Sequence, residues 1–400
     1  MYLNFQAHNR VEFFLLSLSV GLLPVYVFSS GGIQPAHALF AVFFTISLIH
    51  RGFPSESWVF LLAGVAFYSF LVESFYVVTG AKVTSLMASV FYFYNFFLVS
   101  AIYSYGVRYG ISAIKPGVIV ACVIAVITIG VAGVSLQEGG QGRSTGTFNN
   151  PNQLGYFSVC ILSLTYLLYR HGHLKYIVAA GMFAVAIFLS IASLSKAAMI
   201  ANFLVVFLAL KPVRRDGESR SKLLTISFLV FWISLVVLGL SFIVSSYLDG
   251  SFDDYIFVQR LQNIAHEDDS SLYSRGYLGF LEGNAIQIFL GLGTKGVAGI
   301  VGHEVHSTLA SVMNNYGFVG FLMFTGVLVA WALKLWRAYG FIGMACLAGP
   351  AMLYGITHNG TRFTAFWVLF AASMAMANRI IRKRKARFSS ENTLHVEAAK

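Results

Sequence analysis

Three stretches of this chain gather amide, guanidinium and imidazole side chains within a few residues of one another. The first reads Gly142-Arg143-Ser144-Thr145-Gly146-Thr147-Phe148-Asn149-Asn150-Pro151-Asn152-Gln153-Leu154-Gly155. The amides of Asn149, Asn150 and Asn152 both donate and accept, which suits sugar hydroxyls, and Arg143 offers a planar fork to a phosphate. A tight turn capping the next helix explains the same composition. The second stretch supplies Tyr273-Ser274-Arg275, then Gly291-Leu292-Gly293-Thr294-Lys295-Gly296, His303 and His306-Ser307. Histidine ordinarily titrates near neutral pH, so His306 is a candidate for orienting or deprotonating a hydroxyl; a structural histidine is the alternative. The third is His358-Asn359-Gly360-Thr361-Arg362, whose outer members are four residues apart and are expected to share a helical face.

Other patterns point nowhere useful. The glycines at 291, 293 and 296 match a dinucleotide fingerprint, but no strand–helix units or acidic ribose partner accompany them. His303, Glu304 and His306 lack a third convincing zinc ligand. The three cysteines, Cys122, Cys160 and Cys346, lie in apolar runs without metal-ligand spacing. Neither a metal nor a cofactor is expected. Asn359-Gly360-Thr361 is a glycosylation sequon, too short to carry an argument.

The elements that must position these residues are membrane spans. The chain has 400 residues, 57% hydrophobic and 11% charged, which places it among multi-span membrane proteins. About twelve spans are expected, near 13–29, 35–49, 58–78, 86–105, 116–134, 154–169, 176–192, 197–210, 223–247, 307–333, 339–356 and 363–378. Most basic residues fall in one set of loops, at Arg10, Arg51, Arg108, Lys115, Arg170, Lys175, 211–222, Lys334, Arg337 and the tail. That side is expected to be cytoplasmic, with both termini inside and the net charge of +11 facing anionic lipid rather than nucleic acid. Seven basic residues fall outside: Lys82, Arg143, Lys196, Arg260, Arg275, Lys295 and Arg362. For Arg260 and Lys295 pairing with nearby acids suffices; Arg143 and Arg275 favour a functional account. Lys196, in Ser193-Leu194-Ser195-Lys196, either snorkels to headgroups or supports an anion site.

The chain thus divides into a first bundle (1–247), a large outer loop (248–306), the last spans (307–380) and a basic tail (381–400). In the large loop, a helix capped at 269–271 is expected, with Leu278, Leu281, Ala285 and Ile288 docking on the membrane domain. Glu73 lies inside the third span. It reads either as a proton-coupling carboxylate, which would favour transport, or as the partner of an outer cation. The last dozen residues read as a disordered tail.

In these motifs and their order the chain resembles the superfamily of O-antigen ligases and O-antigen and exopolysaccharide polymerases, over nearly its whole length. Phe148-Asn149-Asn150-Pro151-Asn152-Gln153-Leu154-Gly155 looks like the family's F-x-N-P-N-x-x-G stretch. Ser195-Lys196 takes the place of its Ser-Arg, keeping the charge and losing the fork. Ser274-Arg275 before Gly291-Leu292-Gly293 looks like the S-R helix leading to G-x-G. His306-Ser307, nine residues, Gly317, two residues and Gly320 match the ligase-type histidine motif. The resemblance implies an all-α, GT-C-like membrane glycosyltransferase of the bacterial inner membrane, its large loop and active site periplasmic. Its donor would be a glycan on undecaprenyl pyrophosphate. The acceptor would be lipid A core for a ligase, or a lipid-linked repeat unit for a polymerase. Inverting, metal-independent transfer is implied, with Arg143, Arg275 and Lys196 on the pyrophosphate, His306 and Arg275 catalytic, and Asn149, Asn152 and Arg362 on the glycan. A lipid-linked oligosaccharide flippase or other transporter is the competing class, and a non-catalytic membrane scaffold a weaker one.

Overall fold

The computed structural model describes residues 2–28, 32–132, 144–209, 276–301 and 305–398, with 244, 245 and 248. Arg143, Arg260, Arg275, His303, Glu304, the span expected at 223–247 and the cap expected at 269–271 lie outside the described residues. Among those described, all regular structure is helical. The helices are α1 (Tyr2–Gly21), α2 (Pro35–Arg51), α3 (Ser57–Val78), α4 (Met87–Tyr109), α5 (Ile114–Ala132), α6 (Pro151–Arg170), α7 (Tyr176–Ala192) and α8 (Lys196–Ala209). After the large loop come α9 (Ala285–Leu290), α10 (Gly293–Val301), α11 (Thr308–Leu347), α12 (Gly349–Thr357) and α13 (Thr364–Ala398). Short 3-10 turns precede α4 (Val83–Leu86) and α9 (Gly279–Glu282).

Five described helical stretches are long and apolar enough to cross a membrane: α3, 83–109, 114–131, α11 and α13. The helices α2, α7 and α8 are apolar but shorter. Outward-facing Phe60, Phe67, Phe75, Ile127 and Val131 are exposed, an arrangement suited to lipid and unsuited to water. The protein is therefore membrane-embedded. At its centre stands α13, whose apolar window is 83% buried against 33% for α3 and α11. It packs on α4, α6 and α11 through Trp367, Phe366 and Phe370, and Ser373 accepts from the Trp331 indole at 2.8 Å.

Several expected elements are corrected. The turn placed at 334–338 falls instead at Gly340 (φ +73), and α11 is also broken at Gly317 (φ +60), so it is three helical pieces. No glycine or proline interrupts α13, and its helix runs into the stretch expected to be disordered, as far as Ala398. The docking helix expected through 278–288 does not form as one piece. Gly283 separates the 3-10 turn from α9, Asn284 and Gln287 form a capping box, and Leu278, Leu281 and Ala285 are exposed rather than docked. Phe289 of α9 packs on Phe318 of α11, and both rings are exposed apolar surface.

Helix ends sort into two groups. At one end Arg51 meets the buried carboxylate of Glu12, with His50 3.0 Å from the same group. There too Glu56 accepts from Tyr103 at 2.5 Å and pairs with Arg382 at 3.5 Å, while Arg379 and Arg384 donate to the carbonyls of Gly106, Arg337 and Ala338. The other end gathers the loops that carry the motifs.

Candidate active site

The segment 144–155 is held in place by its own bonds and its neighbours. The Ser144 amide donates to Ala192 (3.0 Å), the Thr147 hydroxyl donates to the Pro24 carbonyl, and Phe148 is buried between Tyr26 and Phe157. The Asn150 side chain accepts from the Gln153 amide at 2.8 Å and Pro151 takes the first helical turn, so Asn150 is the N-cap of α6. The Gln153 side chain accepts in turn from the Asn149 amide at 3.2 Å. The stretch therefore caps a helix, and Asn149 and Asn152 of the capped turn line a cavity. A Cβ on Gly155 would sit 2.9 Å from the Ser195 side chain, which explains why a glycine lies where α6 crosses the 193–195 turn.

His306 is presented by its neighbours. Val305 and Ser307 are buried on either side while His306 is exposed. Ser307 caps α11, accepting from the Ala310 amide (3.3 Å), and donates to the Tyr277 hydroxyl (2.8 Å), which donates to the Ile356 carbonyl (2.6 Å). Thr308 donates to the His358 carbonyl and accepts from the Gly360 amide, both at 2.8 Å. These bonds fix the 305–308 and 356–360 segments side by side.

The 354–363 segment forms a ring stack. His358 lies 4.4 Å from Tyr354 at 17°, Tyr354 lies 4.7 Å from Tyr156, and Tyr156 lies 5.0 Å from Phe363. Tyr354 is held by its hydroxyl, which donates to the Asn152 carbonyl at 2.6 Å. Gly360 lies flat on Tyr156, where an added Cβ would come within 2.1 Å of the ring. His358 and Arg362 do not share a helical face as expected. His358 ends α12 in an extended conformation, and a turn follows it because Gly360 must pass under Thr308. Arg362 lies over the Phe91 ring at 5.7 Å.

These segments enclose a cavity of about 660 Å³. Of the residues singled out in the sequence, it brings together Asn149, Asn152, His306 and Arg362. Lys196, half-buried at the start of α8, is not among its lining residues, and Arg143 and Arg275 lie outside the described residues. The residue after each arginine is anchored: Ser144 as above, and Gly276 through its carbonyl, which accepts from Asn314 at 2.7 Å. Sequence reasoning missed Gln34 and His37 as lining residues. Gln34 closes the α1–α2 loop by accepting from the Val27 and Phe28 amides, and its position before Pro35 was a readable helix-start signal.

Among the described residues, the lining carries one guanidinium, imidazoles from His37, His306 and His358, six amide side chains, and no Asp or Glu. Such a wall favours a ligand that is hydroxylated and anionic. Among the described residues, no group of three His, Cys, Asp or Glu side chains is placed to hold a metal ion.

Elsewhere in the bundle α3 clamps the Gly291-Leu292-Gly293 turn. The buried Glu73 carboxylate accepts from the Thr294 amide (3.0 Å) and hydroxyl (3.1 Å) at the start of α10. Tyr68 and Tyr76 donate to the Leu290 and Gly291 carbonyls. Opposite, Gly291 and Gly317 meet backbone to backbone: a Cβ on Gly317 would lie 2.4 Å from the Phe289 carbonyl oxygen. Comparison of the chain with protein-family models and with curated proteins gives no match.

Proposed function

We propose that this protein transfers a glycan from undecaprenyl pyrophosphate to an acceptor hydroxyl during surface polysaccharide assembly. What carries the reading is the lining: guanidinium, imidazoles and amides together, with no carboxylate among the described lining residues, at the end of the bundle opposite the ion-paired one. A pyrophosphate is already a good leaving group, so catalysis needs mainly neutralisation of its charge and a positioned nucleophile. In this reading Arg143 and Arg275, with Lys196 in support, bind the pyrophosphate. Asn149, Asn152 and Arg362 bind the glycan, and His306 orients or accepts a proton from the acceptor hydroxyl. The cavity would face the periplasm, with the Glu12–Arg51 end in the cytoplasm.

The test is reconstitution of the full chain in vesicles with undecaprenyl-pyrophosphate-linked glycan, offering either lipid A core or a second lipid-linked repeat unit. Transfer to core identifies a ligase and growth on the carrier a polymerase. His306→Ala and Arg275→Ala are each expected to lower transfer by about 10²–10⁴-fold at normal protein levels. Donor consumption at the parental rate by the double variant would remove the site assignment.

A further inference from the structure

The turn at 290–294 lies deep between two apolar helices. The 22 residues of α3 begin beside Glu56 and extend about 33 Å, close to the thickness of the hydrocarbon layer. Tyr68, whose hydroxyl donates to the Leu290 carbonyl at 3.1 Å, stands ten residues before Val78, about 15 Å from the cavity end of α3. Helical side chains lean toward the N-terminus, which on α3 is the Glu56 end, so that hydroxyl is no shallower than its Cα. Glu73, which accepts from the Thr294 amide and hydroxyl at 3.0 and 3.1 Å, stands five residues before Val78. On the other side the Leu292 amide donates to the Asn314 carbonyl at 2.9 Å, six residues and about 9 Å into α11. Both helices place the turn inside the span rather than above it.

Irregular backbone persists at such depth only where protein satisfies its polar groups. Gly291, Leu292 and Gly293 are buried, the Gly291 carbonyl accepts from Tyr76 at 2.7 Å, and the Gly291 amide donates to the Gln287 carbonyl at 2.7 Å. The side chains of α9 face the other way. Ile286, Phe289 and Leu290 are 68%, 58% and 46% exposed, and Phe289 packs on Phe318, itself exposed on α11. Such a surface suits acyl chains and not water. The sequence agrees: eight charged residues lie between Asp249 and Arg275, and none between Gly283 and Thr294. The next charge, Lys295, follows the residue that the Glu73 carboxylate holds. From there α10 packs on the 3-10 turn Val83–Leu86, which lies past the cavity end of α3.

We infer that α9, the 290–294 turn and α10 form a re-entrant hairpin that enters and leaves the membrane at the cavity end, with phospholipid acyl chains covering Ile286, Phe289 and Leu290. The large loop is then only partly outside. Glu73 gains a structural purpose, since it caps the first turn of α10 where no water can.

The experiment attaches a nitroxide to single cysteines in the full-length protein, reconstituted in phosphatidylethanolamine–phosphatidylglycerol vesicles, and measures collision with oxygen and with a neutral nickel chelate. The native cysteines are buried, so the parental chain treated with the label is the blank. Ile286→Cys and Phe289→Cys carry the test. Phe67→Cys, beside Tyr68 on the exposed face of α3, is the lipid reference, and Lys82→Cys, exposed beyond the end of α3, is the aqueous one. The ratio of oxygen to nickel collision at 286 and 289 is expected to exceed that at 82 several-fold and to match that at 67. Ile286 decides where the two differ, because Phe289 also packs on Phe318. A ratio at 286 equal to that at 82 places the segment in water and overturns the inference. Protection of 286 from both reagents assigns the face to a protein partner or a second copy, and overturns it equally. The assay reads depth alone and needs no transfer activity.

Discussion

The two ends of the bundle spend their cations differently. At the Glu12 end, Arg51, His50 and Arg382 face carboxylates, and Arg379 and Arg384 bond helix carbonyls. At the cavity end, among the described residues, Arg362 has a ring beneath it instead of an ion-pair partner, and the one buried carboxylate nearby, Glu73, is occupied by Thr294. The first end is a structural clamp, where buried charges are compensated within the fold. The second holds cationic and amide groups whose natural counterpart is an external anion.

The largest effect that would sharpen this contrast is at the clamp. Glu12→Ala leaves Arg51 buried without its carboxylate and is expected to cost about 3–5 kcal/mol, read as a large fall in melting temperature in detergent. An unchanged melting temperature would break the distinction between the ends. Next comes Gly317→Ala. Gly317 sits at φ +60, ψ −167, a region only glycine occupies comfortably, and an added Cβ meets backbone. At least about 1–3 kcal/mol is expected from strain alone, with loss of transfer because the Ser307–Gly317 piece of α11 can no longer seat. A smaller effect is expected from Glu73→Gln. Its amide oxygen still accepts from the Thr294 amide, so about 1 kcal/mol should be lost and transfer retained. A proton-coupled transporter would lose its activity, which makes this variant the sharpest separation of the two classes.

The smallest concerns His173, in the turn between α6 and α7. Burial, with the Lys115 and Arg379 cations, holds its pKa below the ordinary value. The folded state thus prefers the neutral ring. Its contribution is present above about pH 6.5 and is lost as pH falls through and below that value toward the depressed folded one. His173→Asn is expected to flatten the fall in melting temperature between pH 7.5 and 5.5; an unchanged slope would remove His173 from the account.

What the sequence revealed of the site was what local chemistry dictates. The amide-rich turn at 142–155 was readable as the cap of the next helix, with Asn149 and Asn152 beside it, and His306 was readable from its place at the start of a span; that Ser307 caps that helix shows only in the structure. His37 was not, because it joins the cavity only through the packing of α2 beside α4, which no local pattern records. Lys196 was legible as an outer cation but is not among the cavity-lining residues. The misread helix at 278–288 has a physical cause. Apolar periodicity reports an apolar surrounding, and in a membrane protein that surrounding is as readily lipid as protein. The same ambiguity hid the break at Gly317, since hydropathy continues across it.

The seam between Gly291 and Gly317 has a consequence for how this protein can be taken apart. Main chain there touches main chain, and α3 grips the same turn from behind through Tyr68, Glu73 and Tyr76. A segment fastened on both faces is not an interchangeable module. A chimera that exchanges it with another protein's must carry over the α3 face and the first piece of α11 as well, so the natural splice point lies before Gly276 rather than at the membrane boundary.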